Sequence, residues 1–316
     1  MNAREVLELR QRVRRAVRDV FDGLGFLEVD TPVLATEVLP EAHIDPIPVA
    51  ADGSGRTTHY LQASPELLMK RLLAAGSGPI WQFARSFRAG EVGRQHDVEF
   101  VLLEWYAPGA ALDDTAPLLD RICGATLGTS GIERVSCSDA FRAHAGVDPL
   151  AASRAEMLAA LDRAGVAIPA SLAALPEDQR RDRAFELLLA EVVQPRLGHG
   201  RPTMLEAWPA SQAAFARLDA SGAARRFELF AAGVELANGW EEETDRAALA
   251  ARIDAANRAR VADGRAALPV PTRLLEAHGP TMPGGVGAAL GFDRLAMLVA
   301  GADSIDAVRC FTSRSG

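Results

Sequence analysis

Two alternating segments, joined by a charged and glycine-punctuated loop, constrain this chain more than any other feature. From Trp81 to Arg88 the side chains fall on two faces: Gln82, Ala84, Ser86 and Arg88 on one, Trp81, Phe83, Arg85 and Phe87 on the other. After the loop, Phe100, Leu102, Glu104 and Tyr106 share a face opposite Val101, Leu103 and Trp105. A period of two is strand geometry, and two such strands around a loop make a hairpin. This hairpin aims an Arg, an aromatic ring, a Glu and a Tyr at one spot. The combination suits a ligand that carries both a phosphate and an ammonium group.

The rest of the chain supplies a framework for that hairpin. Residues 4–25 read as an amphipathic helix with Val6, Leu9, Val13, Val17 and Val20 as its apolar stripe and Gly23 and Gly25 as its stop. Glu28 to Leu34 reads as a strand, with Pro32 placing part of it at an edge. Residues 36–58 form a Pro- and Gly-containing hairpin region. Ser64-Pro65-Glu66 opens a helix, with Ser64 as N-cap and Pro65 in the first turn. A helix over 112–127 follows, then an Ala/Arg/Glu-rich helical stretch over 139–193 broken by Pro149, Pro169 and Pro176. Strands are expected at 203–208, 226–230 and 233–237, a charged helix at 245–263, and a strand–helix unit at 287–300.

Composition narrows the class. A chain of 316 residues with 48% hydrophobic and 24% charged residues has material for an ordinary globular core. No apolar run is long enough to span a bilayer, and the charged start shows no secretory signal. Cys123, Cys137 and Cys310 lack metal-ligand spacing and fit reduced thiols in a cytoplasmic protein. The net charge of −8 argues against a main task of gripping a nucleic-acid backbone, so tRNA is not an expected partner. Arg4, Arg10, Arg12, Arg14, Arg15 and Arg18 crowd the first helix. A solvated helix face accounts for them, with a docking patch for an acidic or tRNA-like partner as the sharper alternative.

Three segments together resemble a known family. Arg85-Ser-Phe-Arg-Ala-Gly-Glu-Val-Gly-Arg-Gln-His-Asp-Val-Glu-Phe-Val-Leu-Leu-Glu-Trp-Tyr106 resembles motif 2 of the class II aminoacyl-tRNA synthetases, in the form found in lysyl-tRNA synthetases and their relatives. Gly23-Leu-Gly-Phe-Leu-Glu-Val-Asp-Thr-Pro-Val-Leu34 resembles motif 1, and Gly287-Ala-Ala-Leu-Gly-Phe-Asp-Arg-Leu295 resembles motif 3. They occur in the family's order across nearly the whole chain. The resemblance implies an α+β fold with the class II antiparallel sheet flanked by helices. It also implies one catalytic domain over 1–316, with 139–193 as a helical insertion and no anticodon-binding OB domain, and a homodimer.

The resemblance further implies ATP and Mg²⁺ as cofactors. Arg88 would bind the α-phosphate, and Arg294 and Phe100 would sandwich adenine. Arg94 and His96 would reach the outer phosphates or adenine, and Asp97, Leu236 and Gly291 complete the implied nucleotide contacts. Glu235 and Glu242 would hold Mg²⁺, with Glu242 also near the substrate amine and Asn238 supporting. Ser64, Pro65 and Glu66 would contact the backbone amine of an amino acid, while Glu104 and Tyr106 would capture a side-chain ammonium.

Within that family, Met69-Lys-Arg-Leu-Leu-Ala-Ala-Gly76 and Gly233-Val-Glu-Leu-Ala-Asn-Gly-Trp240 resemble the stand-alone elongation factor P lysine ligases. Ala289, where tRNA-charging enzymes have Gly, points the same way and towards (R)-β-lysine rather than lysine. Elongation factor P is then the expected acceptor. The family has Glu where Gly90 stands and Asn where Asp97 stands. Those departures keep a non-catalytic amino-acid-binding paralogue open, beside a truncated tRNA-charging enzyme or an asparagine synthetase-like enzyme.

Overall fold

The computed structural model describes residues 1–169 and 177–316, and the chain divides into two compact units. The first comprises 1–111, 125–128 and 242–316; the second comprises 112–124 and 129–241. The chain first forms α1 (Ala3–Asp22), β1 (Leu27–Glu28), β2 (Leu34–Ala35), β3 (Ile47–Val49), β4 (His59–Leu61), α2 (Glu66–Ala74), β5 (Ile80–Phe87) and β6 (Glu99–Pro108). Then come α3 (Thr115–Leu127), β7 (Glu133–Ser136), α4 (Cys137–Ala145), α5 (Arg154–Arg163), α6 (Glu177–Leu188), β8 (Thr203–Trp208), β9 (Ala224–Ala231) and β10 (Val234–Glu241). The last segment gives α7 (Arg246–Ala262), α8 (Thr272–Ala277), β11 (Gly285–Gly291) and α9 (Phe292–Val299).

In the first unit, β5 and β6 pair antiparallel, β11 pairs antiparallel with β6, and β1 lies parallel to β5. Helix α1 starts on a capping box between Asn2 and Glu5 and buries Val6, Leu9, Val13, Val17 and Phe21. Phe21 stacks on Trp81 with ring centroids 4.8 Å apart and meets Trp105 at 5.7 Å. The aromatic face of the hairpin therefore packs on α1, which frees the opposite face for chemistry. Burial of each such ring stabilises the fold by roughly 1.5–3 kcal/mol.

The strand expected over 28–34 is two short pieces, because Pro32 interrupts the ladder. A side chain replaces the missing backbone pairing. Gln82 Oε1 accepts from Thr31 N–H at 3.0 Å, and Gln82 Nε2 donates to Thr31 Oγ1 at 2.9 Å. The arginines of α1 also have work inside the unit. Arg10 pairs with Asp293 at 2.7 Å, Arg14 lies 4.4 Å from the Phe83 ring centroid, and Arg18 pairs with Glu28 at 3.0 Å. Burial, then the charges of Arg10 and Arg18, push the Arg14 guanidinium down to about 10.

In the second unit the strands run in the order β10, β9, β8, β7, antiparallel except for the parallel pair β7–β8. Helices α4, α5 and α6 share one core with these strands: Phe141 stacks on Phe185 at 4.8 Å, and Phe185 meets Trp208 edge-on at 5.8 Å. Within the stretch 139–193, expected as a helical insertion, Phe141, Met157, Leu161, Phe185, Leu188 and Val193 belong to this core. Pro176 lies outside the described residues.

Gly198 has φ +76°, and a Cβ there would sit 2.5 Å from Ala231 Cα and Phe230 O. Both the backbone conformation and the close approach to β9 demand glycine. We expect Gly198→Ala to cost about 2 kcal/mol or more in urea unfolding. A loss within 0.5 kcal/mol would show that this turn can shift freely.

Candidate active site

Register places the chemistry. Gln82, Glu104 and Ala289 lie in one row across β5, β6 and β11, and Ile80, Tyr106 and Gly287 lie in the next. Paired residues in a sheet share a face, so Glu104, Tyr106 and Ala289 face the same side. A Cβ at Gly287 would collide with the Tyr106 ring and with Glu242 Oε1, so glycine makes room for both.

Above this face stands the start of α2. Ser64 Oγ accepts from Glu66 N–H at 3.0 Å and donates to Glu104 Oε2 at 2.8 Å. Tyr106 OH donates to Glu104 Oε1 at 2.8 Å. One turn along α2, Lys70 Nζ meets Glu66 Oε1 at 2.6 Å and Glu242 Oε2 at 2.7 Å. Glu66, Lys70, Glu104, Tyr106 and Glu242 are all buried.

Charge balance explains the titration of this cluster. Burial alone would drive the Lys70 ammonium down, but Glu242 and Glu66 reverse that and hold it above its usual range. Glu104 is pushed up to about 8, first by burial and then by the charge of Glu66, against the hydrogen bonds from Ser64 and Tyr106. Burial, then Glu104, keep the Tyr106 phenol raised and protonated, so it acts as a donor. Among the described residues no cation pairs with Glu104, so an arriving cation favours its ionised form.

The residues expected at the phosphates lie where β5 runs into its loop. The Arg88 guanidinium carbon lies 5.0 Å from the Phe100 ring centroid, and its Nη1 is 3.8 Å from Glu91 Oε2. Arg88 Nε is buried without a hydrogen-bond partner. Gly90 has φ +78°, so this turn favours glycine where the family has Glu. Arg294, near the start of α9, donates from Nη2 to His96 Nε2 at 2.6 Å and from Nε to Gln95 O at 3.3 Å. Gly291 stands just before that helix with ordinary room for a Cβ. Arg94 is exposed and paired with Asp303.

Asp97 has a different role from the expected nucleotide contact. It is buried, Oδ2 accepts from Arg309 Nη1 at 2.8 Å and from Ser313 N–H at 2.9 Å, and Oδ1 accepts from Val98 N–H at 2.9 Å and from Ser313 Oγ. Burial opposes ionisation, but the Ser313 and Val98 hydrogen bonds and Arg309 outweigh it and hold the carboxyl below its usual range. The carboxylate is fully engaged in clasping the C-terminal segment, which gives its negative charge a partner away from phosphates.

Glu235, Leu236 and Asn238 lie on β10 of the second unit. The Leu236 side chain is buried, which leaves its backbone as the group able to meet a ligand. Asn238 Oδ1 accepts from Arg226 Nε at 3.1 Å. Among the described residues, no group of three or more His, Cys, Asp or Glu is arranged to hold a metal by itself. Mg²⁺ bound mainly through nucleotide phosphates needs only one or two carboxylates, which fits the donors present.

The structure brings together Ser64, Glu66, Glu104, Tyr106 and Glu242, all singled out in the sequence, and adds Lys70, which was not. The signal was present: a Lys four residues after Glu66, in the largely apolar run Leu67-Leu-Met-Lys-Arg-Leu-Leu73.

The family described as tRNA synthetases class II (D, K and N) matches residues 1–315. The chain is 38% identical over 311 residues to the elongation factor P–(R)-β-lysine ligase of Enterobacter sp. (strain 638), covering 96% of this chain and 93% of that protein. The ligase of the same name from Sodalis glossinidius is 39% identical over 300 residues, with 93% and 91% coverage. That from Erwinia tasmaniensis is 38% identical over 308 residues, with 96% and 93% coverage.

Removing the Lys70 ammonium would strand two buried carboxylates. We expect Lys70→Met to cost about 3–5 kcal/mol. The loss should be smaller at pH 5.5 than at pH 8, because the stranded carboxyls take up protons as the pH falls. Equal stability of the variant and the parent chain at pH 8 would contradict this role.

Proposed function

The chain belongs to the class II tRNA synthetase family of the D, K and N group, and we propose that it activates lysine or (R)-β-lysine with ATP and transfers it to a lysine side chain of elongation factor P. The buried, carboxylate-rich cluster around Glu104 carries this reading. Glu66, Glu104 and Glu242 repel an acidic amino acid and attract a dibasic one. The asparagine synthetase-like alternative is disfavoured on the same ground.

In the first step a carboxylate oxygen of the amino acid attacks the α-phosphorus of ATP. The bond to the β-phosphate breaks and pyrophosphate leaves. Arg88 stabilises the charge that builds on the α-phosphate, and its unpartnered Nε leaves a donor available. Ser64 and Tyr106 orient Glu104 towards the side-chain ammonium, and Glu66 receives the ammonium nearer the carboxyl. Mg²⁺, when bound, neutralises phosphate charge. Glu242 offers it a hard oxygen in the first unit, and Glu235 keeps the metal role that the resemblance gives it. In the second step the neutral amine of the acceptor lysine attacks the acyl carbon, AMP departs, and the amine gives up a proton. Positioning and charge stabilisation account for both steps.

Arg94, His96, Phe100, Arg294, Gly291 and Leu236 retain the nucleotide-binding roles of the resemblance as proposals. So do Pro65, Asn238 and Ala289 on the amino-acid side. A homodimer is proposed on the same basis, and Leu7, Leu24, Leu27 and Val33 give the region of α1 and motif 1 exposed apolar side chains. No helix among the described residues is long and apolar enough to cross a membrane. A cytoplasmic location is proposed because the acceptor named for the relatives is a translation factor.

ATP–pyrophosphate exchange with α-lysine, (R)-β-lysine, aspartate and no amino acid tests the first step. We expect exchange with a lysine and not with aspartate. Exchange with aspartate would favour the amidating alternative, and none with any amino acid would favour a binding role. Because Glu104 holds its proton up to about pH 8, the apparent affinity for the lysine should rise between pH 6.5 and 8. Glu104→Gln should lower kcat/KM for the lysine at pH 8 by about 10²-fold or more and flatten that rise. A variant that keeps the parent pH profile would remove Glu104 from the amine site.

A further inference from the structure

A further carboxylate faces the same region from a loop the family motifs do not include. A cavity in the first unit is lined on one wall by Glu37, Val38 and Glu41, and on the other by Gln62, Ser64 and Glu66. Among the described residues no side chain or N–H donates a hydrogen bond or ion pair to the Glu41 carboxylate. Gln62 is 8% exposed, and its Nε2 donates to Arg85 O at 2.8 Å, yet its Oε1 is buried without a partner. Ser64 is already donating to Glu104. The cavity therefore presents Glu41, Glu66 and Gln62 Oε1 as acceptors, and a ligand group that is all donors suits it. An ammonium, with three N–H donors and no acceptor, is such a group.

The loop that carries Glu41 is fixed in place. Arg260 of α7 is 3% exposed and donates from Nη1 to Glu41 O at 3.0 Å and to Ile44 O at 2.6 Å, while its Nη2 meets Asp45 Oδ1 at 2.7 Å. On the other side, Ala89 N–H donates to Asp45 O at 2.8 Å, which ties the loop to the residue after Arg88. Glu41 thus stands between the phosphate-binding strand end and the start of α2, where the reacting carboxyl end of a substrate must lie. An amine on the carbon next to that carboxyl, or one carbon further, falls in the same place.

We propose that Glu41 is a specificity-determining residue that, with Glu66, holds the substrate ammonium nearest the reacting carboxylate. This rests on the ligase function proposed above. The charged groups facing Glu41 are Arg88 and Glu91 from the hairpin and Glu66 and Lys70 from α2, with Glu37 on its own loop. Burial, with Glu66 and Glu91, outweighs Arg88 and Lys70 and raises the Glu41 carboxyl to about 7. An arriving ammonium discharges that proton.

Pyrophosphate exchange with Glu41→Gln and Glu41→Asp tests this with (R)-β-lysine, α-lysine and 6-aminohexanoate, which lacks the amine near the carboxyl. The readout is KM, or Ki for a compound that is not turned over. We expect Glu41→Gln to raise KM for the preferred lysine about tenfold or more at pH 8, to leave the value for 6-aminohexanoate within twofold, and not to raise KM for ATP. Glu41→Asp should recover part of the loss. Equal losses for all three compounds would make Glu41 a support for Arg88 and overturn the proposal. Unchanged lysine KM in an active variant would also overturn it and leave the ligase function standing. No lysine-dependent exchange by the parent chain would overturn both.

Discussion

The Lys70 ammonium, shared between Glu66 and Glu242, is the interaction on which the site depends. Both carboxylates are buried, and Glu104 lies close enough to feel the charge of Glu66. Without an internal cation, the low-dielectric setting would force these groups to take up protons, and the attraction for a dibasic ligand would vanish. Among the described residues Lys70 pairs with Glu66 and Glu242 and no cation pairs with Glu104, so a further cation suits the cluster. In the function proposed here, selectivity for a lysine-like substrate rests on this charge arrangement more than on the fit of any single side chain.

The sheet turns that charge arrangement into geometry. Aromatic residues on one face of β5 and β6 bury against α1, so the opposite face is left to meet the start of α2. Gly287 keeps β11 low enough for Tyr106 and Glu242 to lie across it, and Ala289 adds a single methyl beside Glu104. Around the rim, Arg260 fixes the loop with Glu41, and Asp97 fixes the C-terminal segment. The site is thus supported by hydrogen bonds that touch no reacting atom, which is the usual condition for accurate placement of charge.

Much of this was legible in the sequence because its signal is local. Period-two alternation identified the faces of β5 and β6, and the register pairs Gln82 with Glu104 and Ile80 with Tyr106. The strand at 203–208 followed from apolar patterning, whereas the helix expected to take Ser64 as its N-cap begins at Glu66 with Pro65 in the cap position, and Ser64 Oγ accepts from the Glu66 N–H just ahead of it. The elements that sequence reasoning missed depend on distant partners. Asp97 departs from the family pattern, and only the fold shows that Arg309 and Ser313, over 200 residues away, absorb its charge. Lys70 sits on a helix whose pattern is satisfied by its leucines, so its burial between two carboxylates is a tertiary fact. Glu41 lies in a Pro-containing loop without periodicity, and the helices of 139–193 gave no sign that they share a core with β8 and β9.

The central claim is that an empty site holds protons which a substrate ammonium displaces. Titration calorimetry of the lysine at pH 7, in buffers of different ionisation enthalpy, measures that displacement directly. With Glu104 raised to about 8 and Glu41 to about 7, binding should release between about one and one and a half protons per site. Release should fall towards zero as the pH approaches 9. Binding with no net proton release at pH 7 would show that the carboxylates are already ionised in the empty site and would contradict the account.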